Sequence, residues 1–373
     1  PVQFRSEGNI FSGEKRGELH VVPKFAVSVS PEIAVVPQSV SPATARGTDR
    51  DVRMTVINHS PAAANAVAQL ELPHGWTSEP ARAPIAFTRQ DEAVTVRFRV
   101  TAPASVTPGN LVVKAHIIEG TTRYGEGYQV VEYPHTTRRH VLRTAGLMVK
   151  TLDVRVKPNL TIGYVMGVGD EVPPALEQLG ARVELLTADD LAGADLNRFD
   201  VVMTGVRAYE RRADLRANNQ RLIEYAGAGG TVIVNYNKFE FNDAQYGPFP
   251  GEVGRDRVTD ENSVVRVLQP QHPVFTTPNR IIDADWKGWR QERGLYFFDT
   301  AGRDPQIVDL LELEDPFPYN KGVKRGALVE AKVGQGRWIY VGLGLWRQLP
   351  AGTDGAYRLM ANLVSLGKAP GIR

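Results

Sequence analysis

The chain has 373 residues, 42% of them hydrophobic and 23% charged, and no cysteine. It is long enough for two cores of ordinary size, and the lack of thiols excludes a disulfide framework, a thiolate nucleophile and a Cys-ligated metal. The formal net charge of +2 is near neutral but uneven, with 19 Lys and Arg against 14 Asp and Glu in residues 1–157 and 25 against 28 in 158–373; no apolar run approaches the roughly 20 residues needed to span a bilayer, so membrane association is expected only peripherally, through a partner.

The chain starts at Pro1 with neither Met nor a signal-peptide pattern, which reads as a trimmed chain or a piece of a longer one. Residues 1–24 are expected to form an extension, with short strands at Val2–Arg5 and Leu19–Val22 bounded by Pro23. From there the pattern takes a period of two. Phe25–Ser30, Ile33–Val40, Val52–Asn58, Ala66–Leu72, Ala93–Thr101, Leu111–Glu119 and Tyr124–Tyr133 alternate apolar and polar residues, with Pro, Gly, Asn and Ser between them. Short strands at this spacing predict an antiparallel, immunoglobulin-like β-sandwich over 25–157. With no Cys pair to pin its sheets it must hold by packing, and Trp76 and Phe98 are the candidate large fillers.

Three runs in this half carry a resemblance: V-R-M-T-V-I-N-H-S (Val52–Ser60), L-E-L-P-H-G-W (Leu70–Trp76) and V-T-V-R-F-R-V-T (Val94–Thr101). They resemble the immunoglobulin-like module associated with bacterial alpha-galactosidases, and the resemblance implies a non-catalytic role.

Residues 134–157 read as the junction, irregular around Arg138, Arg139, His140 and Arg143, with one more alternating strand over Leu147–Val156. A nucleic-acid footprint would be a larger basic stripe with interleaved aromatics, so no nucleic-acid partner is expected. Arg138, Arg139 and Arg143 are instead candidates for contact with another protein subunit.

The second domain, 158–373, opens with an apolar strand at Leu160–Met166. A helix follows with Pro173 and Pro174 in its first turn, where the amides lack helical partners, and Gly180 closes it. Its centre is Phe199–Glu240. The apolar run Val201–Met203, the amphipathic segment Asn218–Tyr225, Gly229-Gly230 and the apolar run Thr231–Val234 predict a βαβ unit in a parallel sheet buried on both faces. Ligands of such sheets sit outside the carboxyl ends of the strands, which directs attention to Arg207, Tyr209, Glu210, Asn235 and Tyr236. Further strands are expected at Val264–Leu268, Ile307–Leu311, Gly326–Lys332 and Arg337–Gly342, and a last helix at Tyr357–Ser365.

The run G-V-R-A-Y-E followed by a helix and G-G-T-V-I-V-N-Y is similar to the flavodoxin-like core of class I glutamine amidotransferases. That family places a Cys nucleophile on the turn that corresponds to Ile233–Asn237, where this chain has neither Cys nor Ser. Tyr236 stands there with nothing in the sequence to lower its pKa of about 10. The resemblance therefore implies the fold and not the reaction.

Two features remain ambivalent. His272, in Q-P-Q-H-P-V-F, is a base or ligand on one reading and a structural histidine on the other; the seven histidines include no H-x-x-H or H-E-x-x-H pair, so neither a zinc site nor any cofactor is implied. The stretch Asp283–Tyr296 concentrates Trp286, Trp289, Arg290, Glu292 and Arg293, which could form a sugar-stacking platform, a protein-binding hot spot or a loop cap over the sheet.

Taken together, Arg207–Glu210, Asn218–Leu222, D-R-V-T-D-E-N (Asp256–Asn262), His272–Ile281, Gly288–Phe297 and Arg347–Leu363 resemble the C-terminal half of long bacterial PIG-L (LmbE-like) deacetylases. In that family a zinc deacetylase domain precedes a sandwich and an amidotransferase-like domain. Its A-H-P-D-D-type zinc motif is missing here, so none of its catalytic residues transfers onto this sequence. The expectation is a two-domain, non-catalytic scaffold, an extrinsic subunit stabilising a larger assembly at the periplasmic or extracellular face. The alternatives are a carbohydrate-binding accessory module of such a deacetylase and a residual hydrolase.

Overall fold

Alternation with a period of two dominates the first part of the chain, and it folds as antiparallel strands. The computed structural model describes residues 4–9, 11, 13–38 and 49–367. One four-stranded sheet runs in the order Phe25–Ser30, Asp49–Asn58, Glu92–Thr101, Thr77–Glu79. A second runs Ile33–Pro37, Gly146–Leu152, Gly109–Glu119, Ala64–Glu71, Arg82–Phe87. Every other residue of Val52–Val56 and of Ala64–Leu70 is buried. The inward faces of the two sheets meet in one core that includes Phe25, Met54, Phe98, Leu70, Ile117, Leu147 and Trp76, which makes this part a β-sandwich. Phe98 is fully buried and Trp76 nearly so, and both fill the core as their types suggested.

Two expectations fail in detail. Leu19–Val22 is not a strand; Phe4–Asn9 pairs instead with Gly13–Glu18 in an antiparallel hairpin. Val2 and Gln3 of the expected first strand and the last two residues of the expected strand Ile33–Val40 lie outside the described residues. The stretch around the basic cluster is not irregular. Arg139–Thr144 pairs with Glu126–Val131, Arg139 opposite Val131 and Thr144 opposite Glu126. Long Arg side chains on an exposed two-stranded ribbon hide its alternation from a pattern based on hydrophobicity.

The chain divides into two compact units, and residues 152–157, which the sequence pattern groups with the sandwich, fall in the second. The reason lies in what the intervening residues bond to. The amide and carbonyl of Arg155 pair with the Asn279 side chain at 2.8 and 2.7 Å, the Lys157 amide donates to Ser365 Oγ at 3.0 Å, and Val154 is buried.

The second unit contains a seven-stranded sheet in the order Arg182–Leu185, Thr161–Val165, Val201–Thr204, Thr231–Asn235, Gly336–Val341, Leu328–Val333, Ile307–Asp309. The first five strands are parallel and the last two antiparallel. Numbered in chain order, the parallel strands lie 2-1-3-4-5. Val201–Thr204 and Thr231–Asn235 are buried at every position, which explains why their sequences run apolar without alternation. The helix Asn219–Gly227 turns Leu222, Tyr225 and Ala226 into a core shared with Val232, Val234, Trp338 and Tyr340. The closing helix Asp354–Ser365 buries Leu359, Met360, Leu363 and Val364. No described helix is long and apolar enough to cross a membrane.

Candidate functional site

Ligands of open parallel sheets collect where the strand order reverses. Here the reversal lies between Thr161–Val165 and Val201–Thr204, and the protein fills it with its own loops. The Asp170 carboxylate accepts from the Tyr164 hydroxyl at 2.7 Å and from the Val172 and Val206 amides at 3.1 Å each. The Val168 amide donates to the Val206 carbonyl at 3.0 Å. A Cβ on Gly167 would stand 2.0 Å from that same carbonyl oxygen. The two turns are tied directly to each other at the reversal.

One strand further on, the turn after Thr231–Asn235 is braced from within. Asn235 donates to the Thr204 carbonyl at 2.9 Å, and Asn237 accepts from the Tyr209 amide at 3.0 Å while donating to the Asn235 carbonyl at 2.8 Å. The Asn237 amide donates to the Tyr340 hydroxyl, which donates in turn to the Tyr296 carbonyl at 2.6 Å. Asn235 and Tyr209 are thus buried supports rather than crevice residues. Arg207 adopts a left-handed backbone, φ +54°, and pairs with Glu210, Nε to Oε2 at 2.5 Å. That hydrogen bond holds the Glu210 carboxyl below its ordinary range despite some burial.

Outside this brace lies an aromatic group assembled from distant parts of the chain. Tyr236 stacks on Tyr296 with centroids 5.7 Å apart and rings 14° from parallel, Trp346 stands 5.9 Å from Tyr236, and Phe239 meets Tyr296 edge-on at 5.8 Å. Tyr296 and Gln291 both have left-handed backbones, φ +52° and +72°. Such conformations cost on the order of 1 kcal/mol each, and holding them requires compensation from the surroundings. The group borders a cavity of about 480 Å³ lined by Phe239, Tyr296, Arg255, Arg257, Thr259, Glu292 and Asn320. Glu292 accepts from Arg347 Nε at 2.7 Å, and the Arg347 guanidinium lies 4.1 Å over the Trp346 ring.

A buried carboxylate anchors the cavity wall. Asp315, 3% exposed, accepts from the Thr259 amide and hydroxyl, the Asp260 amide and Asn320 Nδ2 at 2.6–3.2 Å. Asn320 Nδ2 also donates to the Arg257 carbonyl at 2.9 Å. Burial alone would raise the Asp315 carboxyl, but the Thr259 and Asp260 amides, with the Asn320 and Thr259 side chains, bring it below its ordinary value.

The remaining predicted residues fall elsewhere. Trp286 and Trp289 are 7% and 3% exposed, so neither presents an open face for sugar stacking or for a protein partner. Trp289 Nε1 donates to the Asp285 carbonyl at 3.0 Å, and Arg293, also buried, donates to the Ser263 and Trp286 carbonyls with its guanidinium 5.3 Å from the Trp289 ring. Burial brings the Arg293 guanidinium down to about 10, so it stays charged at neutral pH. The backbone of Arg290 is held on both sides by Gln348, at 2.8 and 2.9 Å. Of that stretch Glu292, Leu295 and Tyr296 reach the cavity group, and of the strand-end set Tyr236 does. Arg138, Arg139 and Arg143 lie exposed on the sandwich unit's ribbon, Arg143 reaching Gln129 at 3.1 Å.

His272 caps the helical turn Pro273–Thr276. Its Nδ1 accepts from the Val274 amide, so Nε2 donates to Glu330 at 2.6 Å, and Glu330 also takes Arg337 at 2.7 Å. The acidic partner lies 58 residues away, beyond any spacing a sequence motif could reveal. Among the described residues no group of three or more His, Asp or Glu is placed to hold a metal. A larger hollow of about 670 Å³ on the sandwich is lined chiefly by Asn65, Val67, Pro84, Ile85 and Ile118 with Arg82 as its one charge, and it offers little to orient a ligand.

Sequence reasoning missed Phe239, Tyr296, Trp346, Arg255 and Arg347 as site residues. A signal was present in D-R-V-T-D, where Arg257 and Thr259 stand two apart on an extended segment.

Residues 44–118 match the model of the NPCBM-associated, NEW3 domain of alpha-galactosidase. No curated protein matches the chain. Among solved structures, a beta-galactosidase from Rahnella sp. R3 is similar at 15% identity over 54% of this chain and 31% of that one, with a TM-score of 0.32. A beta-galactosidase from Bacillus circulans sp. alkalophilus is similar at 16% identity, over 57% and 31% of the two chains, with a TM-score of 0.32. The chain thus spans about a third of either galactosidase, and a likeness at this level carries nothing about activity. What stands is a NEW3 domain within the β-sandwich half of the chain.

Proposed function

We propose that this protein is a non-catalytic accessory module that binds saccharide through the aromatic cavity at the carboxyl end of Thr231–Asn235. The observation that carries the reading is the grouping of Tyr236, Phe239 and Tyr296 beside about 480 Å³ of space ringed by Arg255, Arg257, Thr259, Glu292 and Asn320. An aromatic face with planar hydrogen-bonding groups around it suits the alternating apolar faces and hydroxyl edges of a sugar ring. The NEW3 match supports the accessory role. The 2-1-3-4-5 strand order and the Asn235–Asn237 turn support an amidotransferase-like framework that lacks its nucleophile. Tyr236 is a poor substitute, because burial pushes its hydroxyl above the ordinary tyrosine value. A deacetylase on a separate chain, in a periplasmic or extracellular setting, is the natural partner of such a module.

Titration calorimetry of the intact protein against a panel of neutral and acidic oligosaccharides tests the reading. Phe239, 39% exposed, can be truncated without disturbing the core. Phe239→Ala should weaken binding about tenfold, equivalent to about 1.4 kcal/mol. Absence of binding to any of the sugars, or binding that ignores this substitution, removes the proposal.

A second reading, the extrinsic subunit, is favoured by the ribbon Glu126–Val131/Arg139–Thr144. There Val130, Val141 and Leu142 stand 40–54% exposed beside Arg139 and Arg143, a mixture of apolar and arginine side chains common at protein interfaces. Co-migration of the native protein with a partner measures it.

A further inference from the structure

The geometry points to an acidic saccharide as the occupant of this cavity, with a carboxylate or phosphate group of the sugar held between Arg255 and Arg257. The inference deepens the saccharide-binding reading and rests on it. Its ground is the balance of charge around the cavity. Three charged side chains line it, and the only carboxylate among them, Glu292, is already engaged by Arg347 at 2.7 Å. Neither Arg255 nor Arg257 forms an ion pair among the described residues. The Arg255 guanidinium lies 5.1 Å over the Phe239 ring, a contact that orients it and leaves its donors open.

The spacing matters as much as the charge. Arg255, at a bend, and Arg257, at the start of the short strand Arg257–Val258, line this cavity together. Asp256, between them, lines the adjoining recess and lies 3.6 Å from Lys324. That recess, about 460 Å³, shares Phe239 and Arg255 with the first and is lined by Glu252, Asp256 and Asp299 together with Arg325, whose guanidinium is engaged by Glu312 at 3.0 Å. One side of Phe239 therefore presents guanidinium donors suited to an oxyanion, and the other presents carboxylate acceptors suited to sugar hydroxyls. The Arg257 side is not left to a loose loop. Asn320 bridges the Arg257 carbonyl to the buried Asp315, which also holds the Thr259 and Asp260 amides. A rigid backbone under two unpaired guanidinium groups fits an anion site, whereas a solvated arginine on a mobile loop would need no such support.

The test uses the intact protein and four probes: tri-galacturonate, its methyl ester, galactose 6-phosphate and inorganic phosphate. Tri-galacturonate should bind at least tenfold more tightly than the ester, with an advantage that shrinks as salt is raised. Arg257→Gln and, separately, Arg255→Gln should abolish the difference, weakening tri-galacturonate at least tenfold while affinity for the ester falls by much less. Galactose 6-phosphate binding more tightly than tri-galacturonate supports the anion site and identifies a phosphate as its group. Equal affinity for acid and ester overturns the inference while the saccharide reading stands. Inorganic phosphate binding as tightly as either sugar overturns it too, because the site would then hold an ion alone. Binding of neither sugar form removes the saccharide reading, and this inference with it.

Discussion

At the scale of single residues, burial decided between readings that the sequence left level. Trp286 and Trp289 sit three apart in a stretch with no period, and nothing in such a stretch marks which way an indole points. Their near-complete burial follows from the partners they find: an Asp285 carbonyl for the Trp289 N–H and the Arg293 guanidinium beside its ring. Glu292, in the same stretch, lines the cavity, next to Gln291 with its left-handed backbone. Asp315 is the residue on which the cavity wall depends. Its folded pKa lies below the unfolded value, so the stability it contributes is fully present above the unfolded value of about 3.9 and is lost as pH falls through the depressed folded value. Asp315→Asn should therefore cost roughly 1–3 kcal/mol at pH 7, the worth of hydrogen bonds to a charged group. In urea unfolding the gap between wild type and variant should narrow steadily below pH 4. A gap of the same size at pH 3 and pH 7 contradicts this account of the wall.

At the scale of elements, the parallel strands were legible because a strand buried on both faces runs apolar without alternation, as Val201–Met203 and Val232–Val234 do. The Arg82–Phe87 strand and the ribbon strand Arg139–Thr144 were not, since edge strands carry charges and prolines that mask alternation. The closed reversal point could not be read at all. It depends on Asp170 reaching the Val206 amide 36 residues further along the chain and on the absence of a side chain at Gly167. Gly167→Ala should destabilise the second unit by at least about 1–3 kcal/mol, because the new methyl group meets backbone rather than a movable side chain. Saccharide affinity should stay unchanged, since the cavity lies at the next strand. Denaturant unfolding beside calorimetry reads both, and an unaffected stability would mean that the turns part easily and the reversal point can open.

At the scale of the whole molecule, the chain forms two units, each with its own core. The surplus of basic residues in the first shows at its exposed ribbon, where arginines stand among apolar side chains. If this ribbon joins the protein to a larger assembly, the native protein should run with that assembly on a native gel, and Leu142→Asp should release it while the isolated protein keeps its melting temperature. A native protein that migrates as a free monomer ends the subunit reading. By itself the sequence determined the two-part organisation, the period of each half, the core fillers Phe98 and Trp76, and the lack of a thiol or serine on the turn after Thr231–Asn235. These are local properties, set by which residues must be buried at what spacing. The site was decided by the tertiary structure, because Tyr236, Arg257, Tyr296 and Arg347 come together only when the parallel sheet and its loops close. Contacts between residues so far apart leave no period in the chain from which they could be read.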